Sequence, residues 1–349
     1  MTDAQQREAA LQPFCNMKID VMERRIYELS PELMKILLSD KTTRGYIRWG
    51  SDNYADFGPE YQVDQEMTPD IVASNIEILR QKDFGTDSDK DYMAVIQVQP
   101  RVMKTEEEKT RRTRDKAEVF TPSWVCNEQN NVVDAAWFGR DDVFNVANDK
   151  SWVPIPGPVA FPRDKIWKDY VDARRMEISC GEAPYLVSRY DTVTGKVISV
   201  KDRIGLLDRK LRIVCENAET EEEWMQWAVR AYQSCYGYDY AGDNVLLARE
   251  NLLHTFVDYM ETYMGRTPTV KELKKIANII TWNIWQMNGL TMTAPFSRAA
   301  PAYKQMTMFD FLDDRNDEGE TETADEIPCK IFDWRANESI EFRSLLKEK

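Results

Sequence analysis

Residues 176–186 read MEISCGEAPYL, and residues 236–251 read YGYDYAGDNVLLAREN. Each is a short apolar strand that breaks where a ligand could be held. In the first, the strand ends at Cys180-Gly181, and glycine lets a backbone approach a nucleotide-like ligand at a strand end. Glu177 opens that segment, where an acid can hold an amino-acid ammonium group. In the second, Tyr238-Asp239 closes a strand just before a helix. An acid at the end of the second strand of a doubly wound sheet is placed to accept both ribose hydroxyls. Asp243 and Asn244 are then expected to cap the helix. Taken singly, each segment also fits an ordinary turn. Taken in order, they predict an α/β chain built on a doubly wound sheet. Asp239 follows Gly181 by 58 residues, against about 20 in the usual arrangement. An insertion holding the TVTGKVISV hairpin (192–200) and RIGLLDRKLRIV (203–214) must sit between them.

The flanking sequence reads as alternating elements. NMKIDVMERRIYEL (16–29) suggests a strand and then a helix, and Ser30-Pro31 starts a further helix. SDKTTRGYIRWGSDNYADFG (39–58) reads as loop and strand, and Thr68-Pro69 opens another helix. Residues 101–116, RVMKTEEEKTRRTRDK, hold seven basic and four acidic side chains. They are expected to form a solvated helix with i,i+4 salt pairs, with a phosphate-facing arm as the alternative. SWVPIPGPVAFP (151–162) has four prolines and must be extended. Helices are expected over ETEEEWMQWAVRAYQSC (219–235), over NVLLARENLLHTFVDYMETYM (244–264) and over TPTVKELKKIANIITWNIWQMNGL (267–290). CKIFDWRANESIEFRSLL (329–346) reads as two short strands around an Ala-Asn turn. The implied organisation is a mixed region over 1–100, a cofactor domain over 101–312, an acidic linker over 313–326 and a strand pair over 327–349.

Composition limits the function. The 349 residues are 42% hydrophobic and 30% charged, which suits a packed globular chain and excludes a disordered one. No run approaches 18 apolar residues, and the first residues lack a basic-then-apolar leader, so a cytoplasmic protein without membrane contact is expected. The net charge is −14, whereas proteins that grip nucleic acid alone usually present a basic surface. Any nucleic-acid role must use a local patch or a second subunit. The six cysteines are scattered, and there is one histidine, His254. This pattern argues against a Cys/His zinc site and for reduced, buried thiols. His254 itself sits in a helical apolar pattern and is expected in the core or facing a partner.

With AEVFTPSWV (117–125), the two opening segments resemble the gamma-class amino methyltransferases of DNA. AEVFTPSWV is similar to that family's E-x-F/Y-T-P motif, MEISCGEAPYL to its D-P-x-C-G-x-G-x-F/L cofactor loop, and YGYDYAGDNVLLAREN to its strand-acid-helix step. RDKAEVFTPSWVCNEQNN, EISCGEAPYLVSRYDT, RIGLLDRKL and ITWNIWQMNGL bring the chain closest to the group called restriction endonuclease subunit M. The resemblance runs from about residue 30 onward. It implies a Rossmann-like class I methyltransferase fold, incomplete here, that binds S-adenosylmethionine. Carried over position by position, it implies that Glu177, Gly181 and the Thr121-Pro122 turn hold the methionine portion, with Cys180 also at the cofactor. Asp239 would hold the ribose, Tyr240 would stack near the adenine, and Asn288 would lie near the adenine amino group.

Two departures are visible. Ala183-Pro184 replace the second glycine of the loop. The catalytic N/D-P-P-F/Y tetrapeptide, which binds the target amino group and stacks on the flipped base, does not occur in these 349 residues. TAPF (293–296) lacks its Asn and paired proline, and FDWRAN (332–337) only echoes the approach to it. The resemblance therefore implies the cofactor half of a split adenine methyltransferase in a restriction-modification or related defence system. The partner would carry catalysis and base recognition, and DNA would be met through the complex. A catalytically inactive scaffold on the same fold is the alternative. A nuclease would need an acid near an E-x-K, which Asp258, Glu272 and Lys274 offer, but Glu272 sits where a helix dipole alone explains it. Trp282 and Trp285 are expected in the core.

Overall fold

The computed structural model describes residues 23–83, 98–116, 118–296 and 327–346. The strand expected from NMKIDV and the acidic segment 313–326 lie outside the described residues. The chain is mixed α/β, around a three-stranded sheet that is parallel throughout.

Helices α1 (Glu23–Leu29), α2 (Pro31–Leu38), α3 (Pro69–Asp83), α4 (Glu106–Lys116) and α5 (Ser123–Phe138) come first. A small hairpin, β1 (Asn145–Asn148) and β2 (Ser151–Pro154), leads through the proline-rich connection to α6 (Trp167–Asp172). The central sheet is β3 (Arg175–Ile178), β4 (Cys235–Asp239) and β5 (Ile284–Gln286), side by side in chain order. Parallel neighbours need long crossovers. Here α7 (Leu206–Asn217) and α8 (Glu221–Gln233) cross from β3 to β4, and α9 (Gly242–Met264) and α10 (Val270–Asn283) cross from β4 to β5. The antiparallel pair β6 (Lys330–Asp333) and β7 (Glu338–Glu341) follows.

Strand alternation sends side chains to two faces. Cys235 and Ile284 belong to the main hydrophobic cluster, which gathers α1, α2, α5 and α7–α10. Tyr236, Trp285 and Met287 face the other way and pack with Cys329, Ile331 and Phe342 of the C-terminal hairpin region. Residues 26–67 share the main cluster with the sheet helices. Arg249 of α9 anchors them, donating from Nη1 to the Leu37 and Ser39 carbonyls. His254 lies in the core, with Nδ1 3.0 Å from Asp258.

Three expectations need correction. The helix read over 267–290 stops at Asn283, and Ile284–Gln286 form the third parallel strand. The stop is tertiary: the Asn283 amide donates to the Tyr232 and Cys235 carbonyls, both at 2.9 Å. Trp285 is nonetheless buried as expected, while Trp282 is only partly so. Helix α4 is not merely solvated, because Arg112 on its inner side is buried. Asp243 and Asn244 do not occupy the cap of α9. The cap position is Ala241, and the Asp243 carboxylate turns to Arg112 instead.

The turn from β4 into α9 is tightly covered. The Gly242 N–H donates to the Trp49 carbonyl at 3.0 Å, and a Cβ on Gly242 would stand 1.9 Å from the Arg48 carbonyl oxygen. That contact is with backbone, so no rotamer change relieves it. Gly242→Ala is expected to cost about 1–3 kcal/mol in urea denaturation. An unchanged midpoint would show that the 48–50 segment does not sit on this turn.

Candidate functional site

At the C-terminal ends of β3 and β4 the chain leaves a cleft of about 540 Å³, bordered by Gly181, Asp239, Tyr240, Phe120 and Arg112 among others. Small-molecule sites typically measure about 300–1,000 Å³, and open parallel sheets bind ligands beyond the carboxyl ends of their strands.

The loop after β3 forms one wall. Ser179, Gly181 and Ala183 take φ of 48°, 52° and 62°, a left-handed conformation that only glycine adopts freely. Ala183 therefore keeps the glycine-like backbone at the position where the second loop glycine is replaced. A Cβ on Gly181 would meet the Phe120 ring at 3.4 Å, so the bare backbone lies directly under that ring. The Gly181 N–H donates to Asp239 Oδ2 at 2.9 Å. Asp239 Oδ1 accepts from the Ala241 N–H at 2.9 Å and from the Asn244 side chain at 3.4 Å. Burial raises the Asp239 pKa, against the pull of these donors.

Glu177 also borders the cleft, but its oxygens are engaged. They accept from the Tyr185 and Leu186 N–H groups at 3.3 and 3.1 Å, closing the loop back on its own strand. Burial outweighs those donors and pushes its pKa up to about 8. Cys180 borders the cleft too, with its thiol packed toward Gly237 and pushed well up by burial.

The segment 118–122 forms the roof. The Thr121 carbonyl accepts from the Thr192 hydroxyl at 3.1 Å, and Asp191 accepts from the Ser123 N–H at 2.7 Å. The insertion hairpin, turning at Gly195 with a bridge between Tyr190 and Val197, thus positions the roof. Glu118 binds Arg112 Nε at 2.7 Å, and Arg112 Nη1 reaches Asp243 at 2.6 Å. Burial opposes charge on Asp243. Arg112 and Lys104 overcome it and hold the carboxyl well below its usual range. Gln286, ending β5, donates to the Arg48 and Tyr240 carbonyls at 2.8 Å each, bringing Gly50 and Ser51 to the rim.

Of the residues anticipated from sequence, Thr121, Glu177, Cys180, Gly181, Asp239 and Tyr240 border this one cleft. Pro122 lies just behind, at the N-cap of α5. Asn288 does not border it. It sits in a turn after β5, bridged to Thr293, with its Oδ1 accepting from the Leu290 N–H at 3.0 Å. Sequence reasoning missed Phe120, Arg112 and the Gly50-Ser51 rim. Phe120 had a usable signal, because it is the aromatic of the E-x-F-T-P segment. Gly50 had none, since its neighbours at the cleft are remote in sequence, and Arg112 had none that set it apart from the other basic residues of its helix, since Asp243 is remote.

No family model, no curated protein and no solved structure matches the chain.

Glu177 links the loop to pH. Its ordinary value is 4.5 and its folded value is about 8. Between these the folded state binds more protons than the unfolded one, so stability falls as pH rises through that window and is fully kept below it. Glu177→Gln cannot titrate. Denaturation at pH 5 and pH 8 is expected to show wild type losing stability relative to Glu177→Gln at the higher pH. Parallel pH dependence in the two proteins would mean that Glu177 is ionised throughout.

Proposed function

We propose that this chain is the S-adenosylmethionine-binding subunit of a DNA adenine methyltransferase, with the N-P-P-F/Y element supplied by a partner chain. The observation that carries the reading is the Asp239–Gly181 junction at the carboxyl ends of two adjacent parallel strands. A buried acceptor there meets a bare backbone loop, with Phe120 above that loop and Tyr240 beside it. Those are the parts a nucleoside needs: acceptors for a diol and flat apolar surface for a base.

The residues present fit the cofactor. The cleft has the volume, Gly181 leaves space that a Cβ would fill, and Tyr240 is 41% exposed with its ring 5.7 Å from Phe296. The Asp239 carboxylate offers about four lone-pair sites, and Gly181, Ala241 and Asn244 engage three of them. A ribose diol would take the remaining site and displace the long Asn244 contact. Thr121 and the loop after β3 would hold the methionine portion. Glu177, already bound to backbone N–H groups, would shape the loop instead of gripping an ammonium group. When bound, the cofactor supplies an electrophilic methyl group. This chain's residues would orient it and shield one side from water.

The acidic balance of the chain, −14, supports a complex in which the partner carries most of the DNA contact. The missing tetrapeptide supports a partner that carries the base-binding chemistry. Among the described residues, no helix is long and apolar enough to cross a membrane.

Calorimetric titration with S-adenosylmethionine tests the reading. Wild type is expected to show saturable binding. Tyr240→Ala, at an exposed side chain, is expected to weaken it by about 1–2 kcal/mol with the fold intact by circular dichroism. Asp239→Ala is expected to abolish it. Absence of binding, alone and with the partner, overturns the cofactor role and favours a scaffold. DNA methylation by the purified chain alone would overturn the split arrangement.

A further inference from the structure

The central sheet ends at β3, and its side facing away from β4 has no neighbouring strand among the described residues. The Arg175 N–H donates to Ser234 on the β4 side. Donors alternate along a strand, so the N–H groups of Met176 and Ile178 point away from β4. Natural edge strands carry blunting devices such as proline, bulges or outward charges. Here the two residues with outward N–H groups are apolar and exposed.

Exposure also grows across the second sheet face toward this edge. Trp285 on β5 is 2% exposed and Tyr236 on β4 is 8%, whereas Met176 and Ile178 on β3 are 46% and 66% exposed. The C-terminal hairpin covers the β5 side and thins out before β3. Between it and the edge lies an apolar hollow of about 240 Å³, to which Met176, Tyr236, Trp285, Ile340 and Leu345 contribute. A parallel sheet is ordinarily buried on both faces. In doubly wound sheets the ligand cleft sits where strand order reverses. The cleft here opens at β3, yet among the described residues every further strand of the sheet lies on one side of it.

We propose that a second polypeptide adds a parallel β-strand to the free edge of β3 and seats a large apolar anchor in the adjoining hollow. This rests on the functional reading above and names where its partner binds. A parallel strand runs toward the cleft, so the partner loop that follows it would end beside Asp239 and Gly181. A second copy of this chain joined by two-fold symmetry would pair its β3 antiparallel, and would bring no strand end to the cleft. Main-chain bonds would supply affinity and the hollow would supply selectivity.

The test uses the full chain, with a polypeptide of the same genome that carries the N-P-P-F/Y element as probe. Met176→Pro removes an outward N–H while leaving the β4 ladder untouched, as edge strands tolerate. Leu345→Asp, at an exposed side chain that borders the hollow and not the cleft, is the second variant, should proline disturb folding. Wild type is expected to form a complex by sedimentation, in which amide exchange at Met176 and Ile178 slows by at least about tenfold. Both variants are expected to weaken the complex at least about tenfold while retaining calorimetric S-adenosylmethionine binding. Several results overturn the inference: no complex, a complex indifferent to both variants, or a homodimer sensitive to them. A variant-sensitive complex from a chain that does not bind S-adenosylmethionine would refute the cofactor reading and leave the edge assignment standing.

Discussion

The Asp239 carboxylate holds the loop after β3 to the turn after β4, through Gly181 on one oxygen and Ala241 on the other. Burying a carboxylate is costly unless its lone pairs are met. That requirement fixes both backbones at once. Gly181 must keep its left-handed φ for its N–H to point at the acid, and Ala241 must start the helix there. The cleft is the space left over when these two strand ends are tied together but their loops diverge.

Around that junction the protein uses buried charge where a larger sheet would use hydrophobic layers. Arg112 joins the roof acid Glu118 to Asp243 of α9, with Lys104 and Tyr54 closing around the same carboxylate. Arg189, Arg203 and His254 converge on Asp258, about four turns further along α9. Asp134 binds Arg209 and Tyr170 behind α5. Such pairs contribute little net stability compared with apolar packing, but breaking one partner strands the other. Their value here is positional. Each ties a segment before β3 or an insertion to α9 or α7, and so sets the roof of the cleft against its floor.

Much of this was legible in the sequence. MEISCGEAPYL and CYGYDY announce strand, glycine and acid locally, because a short apolar run that ends at a turn residue marks a strand end, and their order in the chain puts two such ends together. The C-terminal strand pair and the Thr68-Pro69 helix start follow from equally local rules. What failed depended on distance. Ile284-Trp285-Gln286 continues an amphipathic helix in composition, and only carbonyls of the β4 neighbourhood, Tyr232 and Cys235, stop the helix at Asn283. Arg112 sits in a helix that is polar throughout, and Asp243, the partner that ties it to α9, lies 131 residues away. Gln286 and the Gly50 rim meet across 238 residues of separation in the Arg48 contact. Neither spacing nor composition encodes such encounters. They are set by the packing of α2, α9 and α10, which the apolar pattern permits without specifying.

The central claim is that the Asp239–Gly181 cleft receives the nucleoside of S-adenosylmethionine. Ultraviolet photolabelling with methyl-labelled S-adenosylmethionine, followed by peptide mapping, tests it at the residues themselves. The account predicts saturable label on peptides that contain Phe120 or Tyr240, competed by S-adenosylhomocysteine. Label confined to other peptides, or none that saturates, would contradict it.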